Sequence, residues 1–554
     1  MNDQLITTII NNIKKSKIYE TEKYSDRANN LMDAFTSELD WKDQVAYVND
    51  LSKIKKEDIV AFANKYLGNN YVAIYKRKGE KVANEKIEKP IITPVATNAD
   101  KQSTFVTTIE AMPNNASKPV FLDFNKDIQK TKVGAATVLY VANKDNDIFR
   151  LKYRYKVGTL NDLKQAIASQ YISFLGTDKK TSEEIAKEFY TIACSFNVST
   201  GEEYTTVSIE GLQENFDKAV KLYEEVINNV KPDEAALKAL IARITKSRND
   251  AKLNKNAILS GLTSYAMYGP DNKFNNNLSN DALAGITADE LIAKIKNINN
   301  YEQTVIYYGP KDMKSFVSDL QKNHKVPAKF ATPAVAKDFK QVAQKQNEVL
   351  FADYDMVQSE TRWIRSTDNY DPKRNTMVNV FNNYFGGGMG SIVFQTIRES
   401  KALAYSTFGY YVSPQKKNDQ YYFIGYVGSQ ADKFKDATAS MNELLNDMPQ
   451  LDGNLALAKT QVKKDIETER ITQDNIIFSY LAAQELGLSE DIRKQTYNTV
   501  DGIKMSDVVA FENKEFSKKP YTYAIVASEK NISLDDLKQL GAVKKLSLEE
   551  IFGY

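Results

Sequence analysis

The densest group of residues with chemical potential lies between positions 383 and 412, in NYFGGGMGSIVFQTIRESKALAYSTFGYYV. Three consecutive glycines, Gly386 to Gly388, predict a turn, because glycine tolerates backbone conformations that other residues avoid. Arg398 and Tyr405 stand seven residues apart, and a continuous helix would put guanidinium and phenol on one face. The stretch around Tyr405 looks extended instead, so this residue is predicted to begin a strand beside the helix end.

Spacing alone favours a plainer interpretation of the same group. The glycines would only make a turn, and Arg398 would be a surface charge over a packed Tyr405. A phosphate-binding loop fits less well, because the lysine of G-x-x-x-x-G-K-[ST] is absent and the turn does not match G-x-G-x-x-G. Several nearby tyrosines could line a peptide-binding wall, but strands favour tyrosine, so core or sheet positions are preferred for them. They are Tyr405, Tyr410, Tyr411, Tyr421, Tyr422 and Tyr426.

Histidine and cysteine occur once each, as His324 and Cys194. A single thiol excludes an internal disulfide. A single imidazole excludes a zinc site built on two histidines and the signatures H-E-x-x-H and H-x-x-E-H. His324 follows a predicted helix in the polar stretch QKNHKVP, so a solvated loop histidine is predicted rather than a catalytic one.

Bulk properties narrow the class of protein. A chain of 554 residues is long enough for about two to four domains. The formal net charge of +2 gives no general attraction to polyanions, which argues against nucleic-acid binding. No apolar run reaches the roughly 18 to 20 residues that cross a bilayer, and the N-terminus lacks a signal-peptide layout. The sequence thus predicts a soluble chain without a membrane span and leaves the periplasm and the cytoplasm both open.

The elements that position these residues belong to an internal repeat. Three segments share the layout of capped helix, polar turn and Tyr-rich strand: Ile54 to Gly79, Ile286 to Gly309, and Ile503 to Lys530. Their first residues are separated by 232 and then 217 positions. Strand Tyr204 to Gly211 with its following helix matches strand Tyr421 to Gly428 with its helix, again 217 positions later. The apolar positions of both helices recur every three to four residues, which predicts one face buried on a sheet.

The repeat predicts four stretches of chain. Residues 1–79 would be the C-terminal remnant of an incomplete upstream unit, and residues 80–119 an extended interdomain linker. Residues 120–335 would be a first complete α+β unit and residues 336–554 a second, which carries the glycine turn, Arg398 and Tyr405. Because a remnant of this length cannot build its own sheet, we expect the rest of that unit to be removed or to come from another chain.

The segment GGGMGSIVFQTIRESKALAYS resembles the C-terminal-half signature of pitrilysin/insulinase-type zinc metallopeptidases, also called inverzincins. The repeat, the linker and the strand-Gly-helix order are similar too, so the resemblance spans nearly the whole chain. It implies an α+β fold of tandem two-layer units, each a mostly antiparallel sheet packed against helices, forming half of a clamshell.

The resemblance also assigns roles to residues. Arg398 and Tyr405 would be catalytic, reaching across the chamber to steady the charge that forms on the peptide carbonyl. Gly386, Gly387, Gly388 and Met389 would form the loop that binds substrate.

The first complete unit departs from the family pattern H-x-x-E-H-x-x-x-x-G-T. Aligning Gly176-Thr177 with the final G-T puts Ile167, Gln170 and Tyr171 where His, Glu and His would stand. No Glu between Ala235 and Asp289 offers a third ligand. We therefore expect no metal site in this chain and zinc in the missing N-terminal half.

The predicted function is the C-terminal half of a zinc-dependent endopeptidase, which supplies the substrate-binding wall and the Arg398–Tyr405 pair. The expected partners are a peptide substrate and the zinc-bearing N-terminal half, from the same gene or a partner subunit. This chain alone is not expected to be active. The alternative is a non-catalytic binding or assembly subunit with the peptidase fold. A hydrolase that uses carboxylates only is less favoured, because no paired acids stand out.

Overall fold

A computed structural model of the chain describes residues 3–77, 79, 103–113 and 117–554. The helices up to the middle of the chain are α1 (Asp3–Glu22), α2 (Tyr24–Thr36), α3 (Trp41–Leu51), α4 (Lys56–Tyr66), α5 (Thr104–Glu110), α6 (Lys164–Tyr171), α7 (Ser182–Thr191), α8 (Phe216–Asn229), α9 (Glu234–Lys252), α10 (Lys255–Tyr268), α11 (Asn280–Ala284), α12 (Ala288–Asn297) and α13 (Met313–Asn323). Those that follow are α14 (Asn375–Phe385), α15 (Phe434–Asn446), α16 (Asp452–Thr468), α17 (Asn475–Glu485), α18 (Ile492–Thr499), α19 (Met505–Glu515), α20 (Leu534–Lys538) and α21 (Leu548–Phe552).

The strands fall into two groups. The first comprises β1 (Gln129–Val133), β2 (Ala136–Ala142), β3 (Ile148–Tyr155), β4 (Cys194–Thr200), β5 (Thr205–Leu212) and β6 (Gln303–Gly309). The second comprises β7 (Glu348–Asp353), β8 (Gln358–Asn369), β9 (Ser406–Val412), β10 (Gln420–Gln430), β11 (Thr522–Ala527) and β12 (Ala542–Lys545).

Each group forms one six-stranded sheet. The first has the order β1-β2-β6-β3-β5-β4 and the second β12-β7-β11-β8-β10-β9. In both, the closing strand (β6 or β11) inserts between a parallel and an antiparallel neighbour: β6 between β2 and β3, β11 between β7 and β8. The remaining pairs are mostly antiparallel. The predicted α+β fold of repeated two-layer units is confirmed.

Apolar periodicity explains how each sheet acquires its own helices. On α8, Phe216, Ala219, Tyr223 and Val226 are buried and belong to the core on one face of the first sheet. The matching positions of α15 are buried in the core of the second sheet; they are Phe434, Ala437, Met441 and Leu444. The buried faces predicted for these two helices are therefore confirmed.

The other face of each sheet is covered by a helix from the opposite unit. Ile258, Leu259 and Leu262 of α10 pack with residues of the second sheet, among them Leu350, Ile364, Ala524 and Val526. Conversely, Ile477 and Ala483 of α17 pack with Leu139, Val141, Ile306 and Tyr308 of the first sheet. Each complete unit thus contributes one helix that covers the outer face of the other unit's sheet. We call this arrangement the helix exchange.

The N-terminal part departs from the predicted layout at one element. Residues 71–77 align with the closing strands, yet they form no strand and pair with no described residue. The physical reason is that no neighbouring strands are present among the described residues to receive their backbone groups.

The predicted linker falls largely outside the described residues. In its described part, Ser103 caps a short helix, α5, with its hydroxyl accepting from the N–H of Val106 at 3.2 Å. An extended chain is therefore wrong for this part. The four predicted stretches of chain stay predictions as to their boundaries.

Candidate functional site

The glycine turn is held against the edge strand of the second sheet. Helix α14 ends at Phe385, and Gly386 lies so close to β9 that a Cβ there would stand 2.1 Å from the carbonyl oxygen of Gly409. Gly388 has φ +85°, a left-handed conformation that favours glycine. Met389 follows with 75% of its surface exposed. The turn therefore presents an open backbone and one exposed apolar side chain.

Ser391 stabilises the turn itself. Its buried hydroxyl donates to the carbonyl oxygen of Gly388 at 2.8 Å. A π-type helix then runs over Phe394–Ser400 and carries Arg398. It ends before Ala402, whose φ of +48° turns the chain back toward β9.

Arg398 and Tyr405 come together on the surface. The Arg398 guanidinium lies 5.7 Å from the centre of the Tyr405 ring and 4.7 Å from that of Phe394. Tyr405 is 81% exposed, and its backbone N–H donates to the carbonyl of Gly428 at 3.1 Å, next to the start of β9. The chain reversal thus brings the two side chains together without burying either.

The Arg398 guanidinium makes only a weak ion pair. Its Nε lies 3.6 Å from a carboxylate oxygen of Glu399, beyond good hydrogen-bond length, and its side chain is 42% exposed. Two aromatic rings flank the guanidinium, which orients its flat face while leaving its N–H groups available. This pair can donate several hydrogen bonds to an oxygen outside the chain.

Beside the pair, the edge strand β9 carries a row of aromatic side chains. Tyr410 is exposed, and the ring of Phe408 stacks at 5.0 Å on that of Tyr426. Tyr411 and Tyr421 point the other way and are fully buried, where burial raises their phenol pKa values. Tyr422 and Tyr426 pack against the core on the other face of β10, so the preference for core or sheet positions holds for five of the six, and Tyr405 lies just before β9. Because side chains alternate between the two faces of a strand, the sequence could have predicted which of these tyrosines point into the core.

Sequence reasoning missed Phe394 and Phe408. Phe394 stands four residues before Arg398, so a helical spacing was available as a signal. Phe408 lies two residues before Tyr410, which places the two on the same face of a strand.

The first unit has a helix at the position where the family pattern expects metal ligands. On α6, Ile167 and Tyr171 are buried and Gln170 is exposed. The Tyr171 hydroxyl donates to the carbonyl of Asp233 at 2.7 Å and accepts its N–H at 2.8 Å. An alkyl group, an amide and a phenol already committed to the backbone do not fit zinc. Within the described ranges, no group of three or more His, Cys, Asp or Glu could hold a metal ion.

A cavity of about 720 Å³ adjoins α6, between the two complete units. Ile167 and Gln170 line it together with Arg243, Arg248 and the C-terminal Tyr554. Its polar lining is mainly basic and amide, the opposite of what a divalent cation needs.

His324 is not the solvated loop residue predicted from the sequence. It is 2% exposed, with Nδ1 at 2.6 Å from Glu224 and Nε2 at 2.9 Å from Gln303. Its ring stacks on Tyr153 at 4.1 Å. It is a buried structural residue, and the polar sequence around it gave no sign of these distant partners.

The single thiol is also buried. Cys194 opens β4 and is 3% exposed, and burial raises its pKa to about 12. A thiol held protonated in this way is a poor nucleophile at neutral pH.

Among the helices of the described residues, none is both long and apolar enough to cross a membrane.

Two protein-family models match parts of this chain. Residues 169–281 match the family described as Insulinase (Peptidase family M16), and residues 304–461 match Peptidase M16 inactive domain. The first match lies in the first unit and contains α6 from Ser169 onward. The second joins β6 to the glycine turn, Arg398 and Tyr405.

Two zinc proteases and one solved structure are also similar to this chain. The chain is 26% identical over 291 residues to the zinc protease YmxG of Bacillus subtilis, covering 50% of this chain and 66% of that protein. It is 24% identical over 432 residues to a zinc protease of Rickettsia bellii, covering 71% and 95%. The periplasmic protease PqqL of Escherichia coli shares the fold with a TM-score of 0.59 and 12% identity, covering 87% of this chain and 52% of PqqL. The chain belongs to the pitrilysin/insulinase-type metallopeptidase family.

Proposed function

We propose that this chain is the non-metal half of a zinc-dependent endopeptidase. It would supply the substrate-binding wall and the Arg398–Tyr405 pair to a zinc site in a partner half. The observation that carries the proposal is the exposed pairing of these two side chains beside an open glycine turn. Both side chains keep hydrogen-bond donors free to meet a ligand.

The chemistry of the pair suits peptide hydrolysis. When water adds to a peptide carbonyl, negative charge develops on the oxygen, and preorganised donors stabilise that charge. Arg398 offers a planar fork of N–H groups and Tyr405 offers a phenol O–H. The partner half would supply the zinc and the general base, so the residues here bind and orient the peptide.

The glycine turn and the edge of β9 would hold the substrate backbone. The turn has no side chains at three successive positions, which lets a peptide approach closely. Phe408 and Tyr410 give an apolar surface next to it. Such a combination binds extended peptides through the backbone with modest side-chain selectivity.

The experiment co-purifies this chain with a zinc-bearing half of the family and measures cleavage of an internally quenched peptide. Arg398→Ala and Tyr405→Phe should each lower kcat/KM by on the order of ten- to a thousandfold, as expected for loss of a transition-state donor. Lys373→Ala and Tyr190→Phe, at exposed positions away from the pair, should leave the rate unchanged.

Two results would contradict the proposal. One is unchanged kinetics in both Arg398→Ala and Tyr405→Phe, which would remove the catalytic role of the pair. The other is stoichiometric, tightly held zinc in the purified chain alone. A stable complex without any cleavage would favour the alternative, an assembly subunit with the peptidase fold.

A further inference from the structure

The cavity beside α6 has a one-sided charge. Of the described side chains that line it, Arg243, Arg248 and Lys273 are cationic, and none is an aspartate or a glutamate. The whole chain has 74 basic and 72 acidic residues, so this local excess is not a general property of the protein. An anion that enters the cavity would therefore meet positive charge and no competing acidic side chain.

Arg248 is a half-buried cation without an acidic partner. Within the described part of the chain, its guanidinium makes one hydrogen bond, from Nη1 to the amide oxygen of Asn280 at 2.7 Å, and no ion pair. It lies 4.4 Å from the centre of the Tyr554 ring, and burial lowers its pKa. An arginine stays charged at neutral pH all the same. The remaining N–H groups of its planar fork can bind a carboxylate.

Arg243 places a second free guanidinium on the same helix, α9. It is exposed, lies 5.1 Å from the centre of the Phe174 ring, and has no acidic partner among the residues that the structure describes. Lys273 differs, because its ammonium pairs with Glu202 at 2.9 Å. The charge that remains for a ligand thus comes from the two arginines.

Uncharged groups complete the lining. Gln170 and Ser247 line the cavity, and neither side chain makes a hydrogen bond to another described residue. An amide and a hydroxyl can each donate and accept, as a peptide backbone requires. Ile167 and Phe274 add apolar surface. With a volume of about 720 Å³, the cavity has the size of sites that hold a ligand much larger than a single ion.

We propose that this cavity binds an acidic segment of a peptide. Arg243 and Arg248 hold its carboxylates, and Gln170 and Ser247 bind the neighbouring backbone. The choice of a peptide among carboxylate ligands rests on the proposed function, and it names acidic peptides as the preferred class of substrate. Helix α6, which aligns with the zinc-binding pattern, lines an anion site in this chain.

The test measures binding to the purified full chain alone, by calorimetric titration with two peptides. One is acetyl-Gly-Ala-Glu-Glu-Ala-Leu-Gly-amide, and the other has Gln in place of both Glu residues. The acidic peptide should bind about tenfold more tightly than the neutral one, or better, and the difference should shrink as added salt screens the charges. Because the two peptides differ only in charge, the comparison isolates the carboxylates.

Variants of the cavity should change this preference. Arg248→Gln should weaken binding of the acidic peptide about tenfold, because it removes a charged donor. Since it also removes the bond to Asn280, a second variant leaves every described contact in place: Gln170→Glu adds a carboxylate to the lining and should repel the acidic peptide. Lys238→Gln on the same helix and Gln321→Glu, both at exposed positions outside the cavity, are the matched controls and should bind like the wild type.

Three results would overturn the site. The first is equal affinity for the acidic and the neutral peptide. The second is wild-type affinity in Arg248→Gln or in Gln170→Glu. The third comes from a parallel titration with inorganic phosphate: saturable phosphate binding without binding of the acidic peptide would mean that the cavity takes a small anion and not a peptide.

Cleavage assays with a zinc-bearing half separate this site from the proposed function. In an active complex, Arg248→Gln should raise KM for an acidic peptide about tenfold and affect kcat less, because neither Arg398 nor Tyr405 lines the cavity. Cleavage that neither prefers acidic peptides nor depends on Arg248 would overturn the site and leave the proposed function intact. Arg248-dependent binding without any cleavage would support the site and defeat the proposed function.

Discussion

Burial of the single histidine ties three elements of the first unit together. His324 follows α13, and its ring nitrogens reach Glu224 on α8 and Gln303 at the start of β6. Its flat face covers Tyr153 of β3. A buried polar ring with both nitrogens engaged stabilises the site only while its partners stay paired.

Removing this ring should therefore destabilise the first unit. We expect His324→Ala to lower the free energy of unfolding by about 2 to 4 kcal/mol, because it leaves the buried Gln303 and the half-buried Glu224 without this partner and opens a void. Lys325→Ala, at the exposed neighbouring position, should change it by less than about 0.5 kcal/mol. Urea denaturation compares the two variants, and equal effects would contradict the structural role of His324.

At the residue scale, what the sequence predicted depended on how far apart the partners lie in the chain. Arg398 and Tyr405 are close in sequence, so their proximity could be predicted from the helix end between them. His324 meets residues 100 and 21 positions away, and nothing local signals such contacts. Its polar neighbours in the sequence suggested solvent instead.

Among the elements, the glycine turn and β9 depend on each other. Gly386 and Gly409 pack backbone against backbone, because neither carries a side chain. Asn382 strengthens the same contact by accepting from the N–H of Tyr411 at 2.8 Å and donating to its carbonyl at 3.0 Å. The position of the turn is thus set by α14 and β9 together.

A methyl group at Gly386 should disrupt this contact. Its Cβ would lie 2.1 Å from the carbonyl oxygen of Gly409, so one of the two segments must move. We expect Gly386→Ala to destabilise the second unit by about 1 to 3 kcal/mol, the usual cost of overpacking. Gly390→Ala, where no atom lies within 4 Å, is the control and should be close to neutral in thermal unfolding.

Helices with a regular apolar period were predictable, while elements that need partners were not. The buried faces of α8 and α15 follow directly from residue spacing. Residues 71–77 have the composition of a strand but not the structure, because strand pairing is supplied by other segments. The short α5 escaped notice because seven residues carry little periodic signal.

For the whole molecule, the important feature is the exchange of α10 and α17 between units. Each covers a sheet more than 80 residues away in the chain, so no local pattern could have indicated it. The exchange makes the two complete units one interlocked body. It also explains why α10 and α17 are both largely apolar.

An ion cluster fixes the α17 side of this exchange. Asp474, directly before α17, pairs with Lys152 and lies 3.5 Å from Arg150, both on β3 of the other unit. Arg150 also pairs with Glu22 at the end of α1, and all four side chains are at most 20% exposed. The cluster therefore joins the N-terminal segment and both complete units at one point.

Neutralising Asp474 should destabilise the contact between the units more than breaking an exposed ion pair would. Asp474→Asn keeps the shape of the side chain but leaves Lys152 without its partner in a largely buried site, which costs about 3 to 5 kcal/mol. Asp501→Asn breaks the Lys463 pair within the second unit, where the carboxylate is 69% exposed, and should cost less than about 1 kcal/mol. Calorimetry should show one cooperative transition in the wild type and two separated transitions in Asp474→Asn, since α17 no longer couples the units. Equal, small shifts in both variants would mean that apolar packing of α10 and α17 alone holds the units together.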